Sequence, residues 1–122
     1  NQFFDLIEDS IVMITYKKDI TVDLDTAKEL VRERLAYFKG KSYPVLADIR
    51  AVKLFTKEAR DYFAKGDAVK DIPAGAILIG NYVSVFTANL FLRFSKPQMP
   101  TRAFRTKDEA IKWLKQFIPE SK

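Results

Sequence analysis

The stretches PVLADI at 44–49 and AGAILIG at 74–80 are apolar at almost every position, with little alternation of polar residues. A strand with one wet face alternates, whereas a run that is apolar on both sides of the pleat needs cover on both faces. Between these runs, and on either side of them, lie segments whose apolar residues recur at helical spacing. Strands separated by helices are joined through crossovers, and crossovers place successive strands parallel. The chain is therefore expected to be α/β, with a mixed, mostly parallel sheet.

The other elements follow from local signals. FFDLIEDSIVMITY reads as two strands, Phe3 to Glu8 and Ile11 to Tyr16, turning at Asp9 and Ser10, and this opening hairpin makes the sheet mixed. After a polar turn at Lys17 to Asp19, a helix is expected from about Asp23. Leu24, Ala27, Val31, Leu35 and Phe38 form its stripe, Leu30 widens it, and Gly40 ends it. Thr56 has the place of an N-cap for a helix running through Phe63 to Gly66. Pro73 separates that helix from the second apolar run. The segment NYVSVFTANLFLRFS at 81–95 has strand-like composition, but Val83, Phe86, Leu90, Phe91 and Phe94 make a helical face, and a helix is expected.

TRAFR at 101–105 is the last strand. In TKDEAIKWLKQFIP, Thr106 and Glu109 form a capping box ahead of a buried stripe of Ala110, Trp113, Leu114 and Phe117, and Pro119 stops the helix. The expected order is β-β-α-β-α-β-α-β-α, about five strands and four helices. At 122 residues, with no repeat or linker, the chain is expected to form one domain over 1–122.

The residue types that are missing say most about chemistry. With no cysteine and no histidine, disulfides, thiolate and imidazole catalysis, zinc fingers and nearly all transition-metal sites are excluded. No enzymatic activity, no catalytic residue, no metal and no cofactor is expected. No run approaches the ~20 apolar residues of a membrane-spanning helix. The start lacks the basic-then-apolar pattern of a signal peptide, so a cytoplasmic location is expected, while opening on Asn1 leaves room for a lost leader or tag.

The net charge of +5 is uneven: residues 1–61 hold 11 Lys/Arg and 11 Asp/Glu, residues 62–122 hold 10 and 5. Arg93, Lys96, Arg102, Arg105 and Lys107 follow one another with no acid between them, near Phe94 and Phe104. Cations beside aromatics are a nucleic-acid signal. Here the run crosses a helix end, a loop and a strand, and both phenylalanines are expected in the core, so a solvated surface is the better reading. Asp23 and Asp25 of DLD stand where a helix start favours acids. GAILIGN has two glycines at phosphate-loop spacing, but Asn81 replaces the lysine that such a loop requires.

The element order, YPVLADIRAVKLFTKEARDYF, KPQMPTRAFRTKDEAIKWL and their spacing together resemble the STAS, or anti-sigma-factor-antagonist, domains called SpoIIAA-like. Within them the likeness is to a bacterial group labelled STAS/SEC14, and it spans nearly the whole chain. The resemblance implies a SpoIIAA-like fold and a non-enzymatic regulatory or protein-interaction role. The STAS/SEC14 label also implies, as an alternative, a binder of an apolar small molecule or lipid. In regulatory members a strand ends in an aspartate, and a serine or threonine opening the next helix is phosphorylated. The matching positions here are Asp48 and Thr56, with LFTKE standing where those members carry an Asp-Ser-Ser-Gly-like sequence.

Thr56 has two readings. A threonine hydroxyl at an N-cap satisfies one unpaired backbone N–H, worth ~1 kcal/mol. A phosphate there would meet the positive end of the helix and the cations Lys53, Lys57 and Arg60. In the 81–95 helix, Val85, Ala88 and Leu92 lie away from the Phe86/Leu90 face and need cover of their own. The plain cover is the rest of the domain; the functional covers are a protein partner or a second copy, with an apolar ligand in a pocket beside this helix as the alternative, and nucleic acid ranks last.

Overall fold

The computed structural model describes residues 1–119. The chain opens with strands β1 (Gln2–Ile7) and β2 (Ile11–Tyr16). Their turn is centred on Glu8 and Asp9, both left-handed at φ 51° and 57°, not on Asp9 and Ser10. Three residues, Glu8 to Ser10, join the paired Ile7 and Ile11; the two left-handed ones match the twist of a hairpin, and the Ser10 N–H closes the turn on the Ile7 carbonyl at 3.0 Å.

Next come β3 (Thr21–Val22), α1 (Leu24–Phe38), β4 (Val45–Asp48), β5 (Leu54–Phe55) and α2 (Lys57–Phe63), then a 3₁₀ turn at Gly66–Val69. The last part holds β6 (Gly75–Leu78), α3 (Tyr82–Leu90) running into a π turn at Phe91–Ser95, β7 (Thr101–Phe104) and α4 (Lys107–Leu114). A 3₁₀ turn at Lys115–Phe117 follows.

The main sheet has five strands in the order β1-β2-β4-β6-β7. Only the β1–β2 pair is antiparallel. The expected α/β class, mixed sheet and four helices are what the chain forms. Each crossover, β2-α1-β4, β4-α2-β6 and β6-α3-β7, steps in the same direction across the sheet. Right-handed crossovers of that kind stack α1, α2 and α3 on one face and leave the other to α4. Alternate residues of each strand divide accordingly: Val12, Ile14, Val45, Ile49 and Ile77 join the helices of the first face. Ile11, Met13, Leu46, Ala76 and Leu78 pack with Ala110 and Leu114 of α4. Both faces of β4 and β6 are covered, hence their unbroken apolar runs.

Two elements depart from the expected order. β3 and β5 form a separate parallel pair, Thr21 opposite Leu54 and Val22 opposite Phe55. Strands of two residues carry too little pattern to be read from sequence. In α1 the stripe turns slightly: Arg34, not Leu35, is buried, beside Ala27, Leu30, Val31 and Phe38. Asp23 caps α1 by accepting from the Thr26 N–H at 2.9 Å. Thr106 caps α4, accepting from the Glu109 N–H at 3.3 Å while donating to its carboxylate at 2.8 Å.

Candidate functional site

β4 carries Asp48 to the end of the sheet, where Arg50 holds it from two sides. Arg50 Nε donates to Oδ1 at 3.0 Å and Nη2 to Oδ2 at 2.9 Å, and the Arg50 backbone N–H adds a third bond at 3.1 Å. Partial burial pushes the Asp48 carboxyl up, but these bonds outweigh it and hold the group below the ordinary carboxylate range. Arg50 also lies across Gly80, where a Cβ would come within 3.0 Å of its Cδ. Its carbonyl accepts from Asn81 Nδ2 at 2.8 Å, tying the loop after β4 to the start of α3.

Thr56 occupies the N-cap of α2 in extended backbone, and its hydroxyl accepts from the Ala59 N–H at 3.2 Å. Its own N–H bonds the Val22 carbonyl, so the β3–β5 pair fixes where the helix begins. Of the cations expected around it, Lys57 is paired with Asp61 at 2.8 Å and Arg60 donates to the Phe55 carbonyl at 2.8 Å. Lys53 is exposed.

α3 is oriented differently from the sequence expectation. Ala88 is buried and Val85 packs against the core, so neither belongs to an open surface; Leu92 is half-buried. The outer face carries Tyr82, Val83 and Phe86, within one ~100° arc of the helix, and Phe94 follows in the π turn. Tyr82 is 96% exposed, Phe86 65% and Phe94 71%. The expectation that Phe94 is core is thus corrected, whereas Phe104 packs on Trp113. Ser84 explains the orientation. Buried at the first turn, it accepts from the N–H groups of Gly80 and Asn81 and donates to the Asn81 carbonyl, while Asn81 Oδ1 accepts from the Ser84 N–H. This reciprocal cap turns the Ser84/Ala88 side inward.

Between the sheet and the α1–α2 layer lies a cavity of about 120 Å³. Ile14, Val45, Ala47 and Ile77 wall it from the sheet, Leu30 and Val31 from α1, and Phe91 and Met99 from the segment after α3. Arg34 also lines it, although it is only 3% exposed. Its Nη2 donates to the carbonyls of Asp67 (3.2 Å) and Lys70 (2.9 Å), and its guanidinium carbon stands 4.7 Å from the Phe38 ring centre.

Arg34 Nη1 is sealed from solvent with no hydrogen-bond partner among the described residues. None of the ion pairs there includes it. Burial lowers its pKa, with nearby Asp71 and Tyr16 opposing. Tyr16 lines the same cavity; burial pushes its phenol up to about 12 despite the lowering effect of Arg34, so it remains an O–H donor at neutral pH.

The family described as "Domain of unknown function (DUF7793)" matches residues 6–118. The chain belongs to this family. No curated protein matches. Among solved structures, the chain is similar to an uncharacterized protein of the DUF3478 family with a SpoIIAA-like fold from Shewanella loihica PV-4. The identity is 13%, the TM-score 0.66, and the match covers 93% of this chain and 92% of that one. A protein of unknown function from Arthrobacter sp. FB24 aligns at 21% identity and a TM-score of 0.36, over 93% and 98%. The fold of this DUF7793 chain is thus SpoIIAA-like.

The family match spans Asp48, Thr56, the α3 face and Arg34 alike. The structure does not gather the sequence candidates into one site. Asp48 is held by Arg50 and Thr56 by its cap, while Val85 and Ala88 serve the core. Sequence reasoning missed Arg34 and Tyr16. The signal for Arg34 was present: a cation three residues after Val31 and four before Phe38, on the stripe itself. No helix among the described residues is long and apolar enough to cross a membrane.

Proposed function

We propose that the chain works as a single non-enzymatic interaction domain of the reducing cytoplasm, docking a protein partner or a second copy on the outer face of α3. One observation supports this most: Tyr82, Val83, Phe86 and Phe94 are exposed while the opposite side of the same helix is core. Clustered exposed aromatics of this kind mark binding surfaces, where they contribute large apolar area at little entropic cost.

The test combines sedimentation with a photo-crosslinker at Phe86 in the source cells. The reading expects either self-association or capture of one defined protein, lost in Phe86→Glu with the fold retained. A monomer at high micromolar concentration, together with captures that Phe86→Glu leaves unchanged, refutes it. Turnover that a single substitution abolishes refutes the non-enzymatic part.

Regulation through Thr56 is a narrower proposal from the resemblance. A phosphate there gains the start of α2 but draws Lys57 from Asp61 and Arg60 from the Phe55 carbonyl. The apolar-ligand reading is favoured by the cavity under α1 and α2.

A further inference from the structure

The second reading can be taken to a ligand class. An apolar cavity of ~150 Å³ accepts a benzene-sized guest. The cavity here, about 120 Å³, is of that order and partly open to the surface, with walls that are almost wholly hydrocarbon. A purely apolar guest leaves Arg34 unexplained. Its Nη2 hydrogens go to two carbonyls, but both Nη1 hydrogens are buried without an acceptor among the described residues. An unsatisfied buried donor on a cation is costly, and it is relieved by an anion that accepts from it.

The remaining polar groups agree. The Tyr16 phenol is a donor, Arg60 is a second cation on the wall, and no carboxylate lines the cavity among the described residues. A single sealed guanidinium matches one negative charge. A phosphate dianion would need Arg60 as well, and Arg60 is already engaged with the Phe55 carbonyl.

We infer that the cavity binds a small monocarboxylate with a compact apolar body, the carboxylate accepting from the Arg34 guanidinium and the ring or branched alkyl group lying against Ile14, Val45 and Ile77. This rests on the ligand-binding reading of the cavity and names the chemistry of its occupant.

Wild-type protein is titrated with benzoate and separately with benzamide, its uncharged isostere, and followed by NMR of the Ile14, Val45 and Ile77 methyl groups. Benzoate should move these methyls and bind roughly tenfold tighter than benzamide. Arg34→Gln should bring the two affinities together, and Arg34→Lys should keep a preference for the anion. If Arg34→Gln does not fold, the wild-type ratio still decides, because it needs no variant.

Equal affinities overturn anion recognition while leaving an apolar pocket standing. An Arg34 that only ties down the carbonyls of Asp67 and Lys70 would give that same equality. Shifts confined to surface residues, or no binding of either compound at millimolar concentration, overturn the pocket reading as well.

Discussion

Replacing Thr56 tests whether its placement is helix capping alone. The hydroxyl makes one bond, accepting from Ala59 N–H at 3.2 Å, toward the long end of the useful range. Thr56→Ala removes the acceptor, leaves that N–H unpaired by the cap, and should cost about 1 kcal/mol. Thr56→Asp keeps an acceptor and adds a charge that suits the helix start and Lys57, although Glu58 in the same turn opposes it. The aspartate form should therefore stay within about 0.5 kcal/mol of the parent. Urea unfolding followed by fluorescence measures both, since the one tryptophan, Trp113, is packed between Phe104 and Phe117 and loses that environment on unfolding. For a chain of this size the alanine form should melt about 3–5 °C lower. An unchanged alanine variant shows that the cap contributes nothing, and a loss above about 3 kcal/mol gives the hydroxyl a role the structure does not contain. Phosphate on a substantial fraction of Thr56 in protein from the source cells, with partner binding that differs between the Ala and Asp forms, refutes capping as its whole purpose.

Tyr16 should show in alkaline titration. Its folded pKa of about 12 lies above the ordinary 10.0, so the fold favours the protonated phenol; the associated stability is complete below pH 10.0 and is lost as pH rises toward 12. The full difference is about 3 kcal/mol, and tyrosinate absorbance in Tyr16→Phe against the parent measures it; a Tyr16 that ionises at its ordinary pH shows that the phenol is not buried in solution. At the hairpin, Asp9→Gly should stabilise by about 0.5–1 kcal/mol, because left-handed backbone costs a non-glycine residue ~1–2 kcal/mol and glycine returns part of that as unfolded-state entropy. Destabilisation in thermal melts would show that the Asp9 side chain supports the turn.

Much of the fold was legible because its strongest signals are local. The two-sided apolar runs of β4 and β6 announced a sheet covered on both faces, and Thr106 with Glu109 marked the start of α4. What was illegible depends on tertiary contacts. The Leu54–Phe55 strand exists only because Thr21–Val22 lies beside it. The rotation of α3 was misread because apolar residues lie on both its faces, so hydrophobic periodicity does not choose between them. A polar residue does choose: Ser84, whose hydroxyl serves the N–H groups of Gly80 and Asn81, fixes that side inward and leaves Phe86 outside. The expectation built on Val85, Ala88 and Leu92 followed the apolar count and overlooked the cap.

The cavity has a comparable origin in strand register. Residues paired across parallel strands point to the same face, which places Ile14, Ala47, Ile77 and Ala103 in one row and Val12, Val45, Gly75 and Thr101 in the next. Ala47 and Gly75 are small residues in adjacent rows at the middle of the sheet, beneath α1 and α2. Crossover helices rest on the larger neighbours, so the missing volume is not recovered by collapse. Met99 reaches into part of it, since a Cβ on Gly75 would come within 3.2 Å of the Met99 methyl. A core selected only for stability gains by filling such space, and removing a buried cation's need for an acceptor would add to that gain. Small sheet residues and a sealed guanidinium around one cavity are each costly to stability, and a ligand that occupies the space while accepting from Arg34 compensates both at once.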